Sequence, residues 1–574
     1  MSMNPTVTLF LLALLLSGAG VMAQDRIVIT DNDLVGGETY NWTSNNDYVL
    51  DGLVFLEAGA TLNIEAGTVI RGLGGPDVTT GDNTSALIIS QGAQIFARGT
   101  AEQPIIFTAS DDDVTDPFDY DIIDRGEWGG LIILGSATIA RPGGSDGIEG
   151  IDAAESRARF GGTNDADNSG VLNYVSIRHG GAQLSTDNEI NGLTLGGVGS
   201  GTEIDYIEVF ANLDDGIEWF GGTVQVNHAA VSFCGDDGFD YDFGWRGGGQ
   251  YWFALQGPGD PTGRSGEHDG ASPDEQQPFS RPTIYNATYI GIGAEQTASG
   301  GDAGRSLPLS VLFRDNAGGY YYNSVFVDFN GAAVAIEDRT DSETDSYARL
   351  QSGDLGFFNN YFFSFGAGDT PADLFLAIDQ NEAIVPASSA NVAATFVANG
   401  NIIADPVLNS LDARNADGGN VDPRVYAFGP AAIDAPVAIA GYDTTEFYGA
   451  FAPGAYADSN NSWLTGWTAL DHYMVTGDFT NGVGQVADAG FLLDAPVPNP
   501  ATQIATIGFA LPRPAQVTLT VMDLYGRPVL RTANRYDAGD QTQRIDVSQL
   551  PNGNYLIVLD AAGSRLLQKM VVAH

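Results

Sequence analysis

Ile204–Trp219 reads IDYIEVFANLDDGIEW, and Val226–Tyr241 reads VNHAAVSFCGDDGFDY. Superimposed at an offset of 22 residues, Val209 falls on Val231, Asp214-Asp215-Gly216 on Asp236-Asp237-Gly238, and Glu218 on Asp240. β-branched and aromatic residues between Gly and Asp turns are strand material, and a period of this length belongs to a solenoid. One such period cannot bury its own apolar face, so it stacks on the next. The stretch predicts an all-β chain built as a right-handed parallel β-helix.

Working outward, Gly59-Ala60-Thr61-Leu62-Asn63-Ile64 overlays Gly92-Ala93-Gln94-Ile95-Phe96-Ala97 at an offset of 33, both alternating apolar and polar. Gly135–Ile139 reads as a third, shorter echo, and Leu172–Ile177 overlays Ile204–Val209 at an offset of 32. Strands are expected again at Tyr251–Phe253, Tyr285–Ile292, Val311–Arg314, Tyr320–Phe329 and Phe357–Phe365. Residues 110–125 and 141–170 are Asp- and Gly-rich excursions, and 256–282 is a polar insertion expected to form a loop over a groove. Residues 24–48, irregular and polar, are expected to cap the open end of the helix. Trp463, Trp467 and Tyr473 are expected to cap the last coil by core packing. Coils averaging roughly 25–30 residues would give a rod on the order of 75 Å long.

Composition sets limits on partners. The chain has 24 basic and 73 acidic residues, a net charge of −49. The imbalance is confined to the first 494 residues, since the last 80 hold seven basic and five acidic groups. An acidic body of this kind repels nucleic acid and anionic membrane, which excludes both as partners. The acids suit either calcium coordination or a solvated, salt-adapted surface. The single cysteine, Cys234, excludes a disulfide framework within the chain. At a turn position of the repeat, with no histidine in register, it reads as a small buried thiol.

Residues 1–23 read as a secretory signal peptide, with Leu9–Leu16 as its apolar core and Val21-Met22-Ala23 before the cleavage point. No later stretch is long and apolar enough for a transmembrane segment. The β-helix body is expected over 24–483 and a linker over 484–495. Over 496–574 the charge flips and the pattern changes to short strands separated by turns at Pro512, Tyr525-Gly526, Pro551-Asn552-Gly553 and Ala562-Gly563. This predicts a second, small Ig-like β-sandwich domain.

That segment carries, in order, Pro498-Asn499-Pro500, Asp523-Leu524-Tyr525-Gly526-Arg527, Asp546-Val547-Ser548, Leu550-Pro551-Asn552-Gly553-Asn554-Tyr555 and Lys569-Met570-Val571-Val572. It resembles the type A C-terminal sorting domain of the type IX secretion system. The resemblance implies export to the periplasm, then outer-membrane passage directed by this domain through the type IX machinery. It further implies a product released or attached to the cell surface, with Pro498, Asn499, Pro500, Gly526, Arg527, Gly553, Tyr555 and Lys569 as the sorting motif. Through residues 59–72, Phe239-Asp240-Tyr241 and Gly247–Phe253, the body resembles secreted β-helix proteins that carry such domains. More distantly it is similar to the pectate-lyase-like superfamily, a likeness of fold that does not by itself assign chemistry.

Stacked coils should place Asp214 near Asp236, Asp215 near Asp237 and Glu218 near Asp240, about 5 Å apart. Like charges at that spacing must be solvated, protonated or bridged by a cation, and calcium accepts such mixed oxygen ligands. These six acids are the candidate metal ligands, and calcium the candidate cofactor. Asp165-Ala166-Asp167-Asn168-Ser169-Gly170 opens like an EF-hand loop, but its twelfth position is Ser176, so an ordinary Asp/Asn/Gly loop is the preferred reading. A lyase needs a base beside bound calcium, and with no lysine in the body only Arg178, Arg246 and Arg264 stand nearby. Asp215 and Asp237 could flank a glycosidic bond. His268, between Glu267 and Asp269, reads as a solvated loop histidine, and the remaining histidines are scattered.

The expected product is a secreted or surface-attached β-helix protein with a structural or glycan-binding role, its partners the type IX machinery and extracellular polysaccharide. The alternative is a calcium-dependent polysaccharide lyase or glycoside hydrolase.

Overall fold

A computed structural model describes residues 25–184, 190–257, 262–296, 307–342, 344–412, 420–427, 429–432, 438–454, 462–473, 475, 492–493, 496–511, 513–523, 527–561 and 564–574. The leader expected over 1–23 lies outside these, as does most of the expected linker. Residues 25–403 wind into a parallel β-helix. A flat ten-stranded parallel sheet runs from Leu53–Leu56 to Phe375–Ile378, and an eighteen-stranded sheet supplies the other walls. The register follows the sequence overlays: Leu172 pairs with Ile204, Ile204 with Val226, Glu218 with Asp240, and Thr61 with Gln94.

Alternation decides what faces inward. In the flat sheet Leu195, Trp219, Tyr241, His268, Phe313 and Ile336 stack in one inward row. Every member is at most 1% exposed. Burying each apolar member contributes roughly 1.5–3 kcal/mol before the entropy of ordering it. Trp219 lies flat against Trp245 and Trp252 at ring separations of 4.6 and 5.2 Å.

The eighteen-stranded sheet is bent once per coil. At the bend sit Tyr174, Tyr206, His228, Tyr251, Asn286, Asn323 and Asn359, with φ between 44° and 63°. Left-handed backbone costs a side-chain-bearing residue of order 1 kcal/mol or more, least for Asn. The aromatic members offset it by stacking: Tyr174 on Tyr206 at 4.3 Å, Tyr206 on His228 at 4.1 Å, and His228 on Tyr251 at 4.7 Å.

Several expectations are corrected. Residues 24–48 do not form an irregular cap, because Asp25–Ile29, Thr39–Trp42 and Asn46–Leu50 already pair with the following coil. Gly135–Ile139 is not a strand: its backbone N–H groups at 135 and 137 bond to Gly196 and Gly197 at a turn of the next coil. Residues 256–282 do not form only a loop, since Gly266–Asp269 is a full rung of the flat sheet. The last rung is packed by the helix Pro386–Ala398, whose Phe396 meets Phe357 at 5.0 Å and Phe375 at 5.3 Å. Trp463 and Trp467 lie instead along the side of the rod, edge-on to Tyr206, with Trp467 also on Tyr174 and Trp463 on His228. Tyr473 stacks on Phe210 at 5.2 Å. Their expected role in core packing stands, with Trp467 2% and Tyr473 3% exposed. Ten rungs at the usual strand spacing make the flat sheet roughly 43 Å long, shorter than expected because excursions lengthen each coil.

The C-terminal unit is antiparallel. Ala515–Met522, Pro528–Tyr536, Gly553–Ala561 and Ser564–Val572 form one sheet. Leu492–Leu493, Ile504–Leu511 and Gly539–Asp546 form the other. They share a core that includes Ile507, Phe509, Val521, Ile557 and Met570. Leu492–Leu493, expected in the linker, pairs with Phe509 and Ala510. Asn499 accepts the Val571 N–H at 2.7 Å and donates to the Lys569 carbonyl, tying the entering segment to the last strand. Arg527 bonds Asp523 at 2.7 Å, and the Tyr555 hydroxyl donates to the Pro551 carbonyl. Gly526 lies outside the described residues.

Candidate acidic site on the flat sheet

The tandem turns place their acids as the overlay requires. Asn212 donates its amide to the Asp215 carbonyl at 2.7 Å and fixes the first turn. Gly216 must lack a side chain, because a Cβ there would lie 2.3 Å from Val231 Cγ1 on the next coil. The Asp237 N–H then donates to Asp215 Oδ1 at 2.8 Å, locking one turn onto the other.

Beyond the turns, the residues between the inward-facing ones point outward. Glu218, Asp240 and Glu267 stack as one outer row in register. Asp242 and Asp269 belong to a second outer row, which Arg314 ends by pairing with Asp269. In the row contributed by the turns, Asp215 and Asp237 are followed on the third rung by Arg264, two residues before Gly266, the partner of Phe239. The six acids expected as ligands thus lie on adjacent coils beside Glu267, Asp242 and Asp269, but Asp237 turns to Arg264, whose backbone N–H it accepts, and the other five converge.

Two subsets converge closely enough to share one cation. Oxygens of Asp214, Asp215 and Asp236 lie within 4.8 Å of one another, as do those of Asp215, Glu218 and Asp240. Asp215 belongs to both. The site is part-buried: Asp215 is 8%, Glu218 6%, Asp237 2% and Glu267 6% exposed, whereas Asp214, Asp236 and Asp240 are half-buried. Burial pushes the carboxyls of Asp215, Glu218, Asp237, Asp240 and Asp242 well above the usual carboxylate range, and neighbouring acids add to it. Asp240 Oδ1 is buried without a hydrogen-bond partner among the described residues. A carboxylate so placed either holds a proton or meets a cation.

The far end of the grid carries its own positive charge. Arg264 Nη1 bonds Glu267 at 2.6 Å and lies 3.8 Å from Asp237. Arg314 reaches Glu267 and Asp269, each at 2.7 Å. At the near end Glu218 accepts a hydrogen bond from the Asn191 amide. The donor set of the two triads, all carboxylate oxygen, suits a hard divalent cation such as calcium.

The other candidates separate from this site. Arg178 donates to Ser176 at 2.8 Å within the bent sheet, and Arg246 pairs with Asp165 at 3.2 Å. Asp165 also accepts the Thr138 N–H, while Asp167 bonds the Ser136 and Ser169 hydroxyls. That loop is a hydrogen-bonded turn network, as preferred from its sequence. Cys234 is buried. His268 is not a solvated loop residue: it is fully buried, stacked on Tyr241 at 4.0 Å, and bonded to the Tyr321 hydroxyl at 2.8 Å. Desolvation pushes its pKa down to about 3. His179 is likewise buried, between the Asp124 carbonyl and the Tyr473 hydroxyl.

Comparison with known families agrees with this architecture. The family model described as a pectate-lyase like beta helix domain matches residues 36–401, and that described as a secretion system C-terminal sorting domain matches residues 497–573. No curated protein matches the chain. The chain belongs to the pectate-lyase-like β-helix family and carries the sorting domain of type IX secretion at its C-terminal end. It is a secreted or cell-surface β-helix protein, and no helix among the described residues is long and apolar enough to cross a membrane.

Proposed function

We propose that this β-helix protein binds calcium through Asp214, Asp215, Glu218, Asp236 and Asp240, and that it works outside the cell as a structural, glycan-binding rod. The observation that carries the calcium reading is the convergence of two carboxylate triads on the buried Asp215 at the edge of the flat sheet. A divalent ion there replaces the protons that these acids otherwise hold. Its role is to stabilise adjacent coils and fix the outer face; no reaction step is assigned to it. The binding reading is preferred to a lyase or hydrolase because Arg264, the arginine beside the acids, is 5% exposed and ion-paired with Glu267. An arginine held in that way does not serve as a base.

The delivery route belongs to the same proposal: a leader over 1–23, passage through the periplasm, then recognition of residues 496–574 by the type IX machinery. Removing 496–574 should retain the protein in the periplasm, and surface display of the truncated chain would refute the route. For calcium, titration calorimetry on chelator-stripped protein should show saturable binding and a raised melting temperature. No heat and no shift would refute the metal reading.

A further inference from the structure

A second site lies on the bent sheet, away from the acidic ladder. Where each coil turns into this sheet, three successive coils line an open groove of about 560 Å³. Its floor is made by outward residues of neighbouring strands. Asp205 pairs in register with Asn227, and one position on from Glu203 and Gln225 the pairing continues as Ile204 with Val226. One side is formed by Ser200–Thr202 and Thr223, the other by Arg246 and Gly247. Arg246 and the Thr223 hydroxyl are held from behind by Asp165, through its carboxylate and its carbonyl respectively. The strand that follows Gly247 is backed by the segment at Tyr442, whose hydroxyl donates to the Thr283 carbonyl, and Gln250 exchanges two hydrogen bonds with the backbone of Asp443.

The polar groups of the floor are positioned and only partly used. Asp205 Oδ1 bonds His228 Nδ1 at 2.7 Å, and His228 is clamped between the rings of Tyr206 and Tyr251. Asp205 Oδ2 remains for a ligand. Asn227 accepts the Gln250 N–H through Oδ1, which leaves its two Nδ2 hydrogens. Glu203 and Gln225 are exposed at the rim. A row of acceptors and donors repeating at the strand spacing, each held by a neighbour behind it, matches a ligand rich in hydroxyls.

Charge narrows the class. Glu203 and Asp205 add negative potential, the guanidinium of Arg246 is already paired with Asp165, and the chain as a whole carries −49. Uronates and sulfated sugars are repelled from such a groove. We propose that this groove binds a neutral polysaccharide lying across the coils, with Asp205 and Asn227 bonding adjacent hydroxyls. The inference rests on the glycan-binding reading above and adds the place and the ligand class.

The test uses the full secreted chain against neutral gluco-, manno- and galacto-oligosaccharides and against oligogalacturonate, by array and then calorimetry. Asp205→Asn and Asn227→Ala should each weaken binding to the neutral glycan at least tenfold. Glu203→Trp, at an exposed rim position, should block it while leaving the melting temperature and calcium binding unchanged. Neutral-glycan binding that survives all three substitutions overturns the groove and leaves the glycan-binding reading standing. Binding to oligogalacturonate alone overturns the ligand class. Failure of the unsubstituted chain to bind any of these sugars overturns both the groove and the glycan-binding reading.

Discussion

Replacing Asp240 by asparagine should change the sign of its effect on stability according to whether calcium is present. Asp240 stands in register between Glu218 and Glu267, and its Oδ1 is buried without a hydrogen-bond partner among the described residues. Two like charges about 5 Å apart at an effective dielectric constant of ~20 repel by about 3 kcal/mol. The metal-free protein avoids part of this by keeping protons on the row, so asparagine, of the same shape and uncharged, relieves at most that amount. With calcium at a hundred times its dissociation constant, binding stabilises the folded state by about 2.7 kcal/mol. The unfolding entropy of a β-helix this long converts 1 kcal/mol into on the order of 1 °C. In chelator, Asp240→Asn should therefore melt at or up to about 3 °C above the unsubstituted protein. In saturating calcium it should melt below it, because the ligand lost is one of three in its triad. Differential scanning fluorimetry with and without chelator reads both arms. A substitution that lowers the melting temperature equally in both conditions would show that Asp240 serves hydrogen bonding or packing alone, and would refute the reasoning.

The pH dependence follows from the same acids. Their pKa values are raised on folding, so between pH 5 and 8 the metal-free protein loses stability as pH rises toward those values, by up to about 1.4 kcal/mol per pH unit for each group titrating. The lowered imidazoles of His179 and His472 act in the opposite sense, so the quantity to measure is the calcium-induced rise in melting temperature, which should grow from pH 5 to pH 8. A rise that is flat across that range contradicts proton competition at the ladder. Glu208→Gln should loosen the side cap, because the Glu208 carboxylate accepts the Ala469 and Leu470 N–H groups at 2.6 and 3.2 Å. Faster hydrogen exchange at those amides, by about tenfold for a loss near 1.4 kcal/mol, is the expected readout, and unchanged exchange counts against an anchoring role. His268→Phe should cost about 1 kcal/mol by removing the shorter of the two hydrogen bonds of the Tyr321 hydroxyl and leaving it the Tyr289 hydroxyl at 3.3 Å, yet leave calcium and glycan binding intact. A change in either binding constant would assign His268 a role beyond the core.

The coil arrangement was legible wherever coils follow one another without an insert. The 22-residue repeat at 204–247 gave the register of the two acidic turns directly, because nothing interrupts it. The third rung was hidden for the opposite reason. Gly266–Asp269 arrives 27 residues after its partner, behind a polar segment, and its turn carries Arg264 in place of the repeated Asp. The trace of it is the alternation in Gly266-Glu267-His268-Asp269, which matches Phe239-Asp240-Tyr241-Asp242 once His268 is accepted as an inward ring. The side position of Trp463 and Trp467 could not be read locally, since it depends on the stack of bends at Tyr174, Tyr206 and His228, far away in sequence. The helix Pro386–Ala398 was obscured by its small residues: of its buried stripe, Ser388, Ser389, Val392, Ala393 and Phe396, only Val392 and Phe396 are larger apolar residues.

The third rung also explains why the acidic grid needs a mobile charge at one end and not at the other. In a parallel ladder equivalent positions stack directly, so acids repeated along the sequence cannot move apart as they could in a loop. Arg264 and Arg314 compensate Glu267 and Asp269 by direct contact. Glu218 lies two rungs from Glu267, roughly 10 Å away at the usual strand spacing, where the attraction of those arginines is less than half that at contact. The two cations therefore settle the third rung, Arg264 alone reaches Asp237, at 3.8 Å, and the triads around Asp215 are left to be neutralised by protons or by a bound ion. Removing a carboxylate from either end tests this account: Glu218→Gln should reduce calcium affinity, whereas the same change at Glu267 should take from Arg264 and Arg314 the carboxylate they share and destabilise the fold with or without calcium.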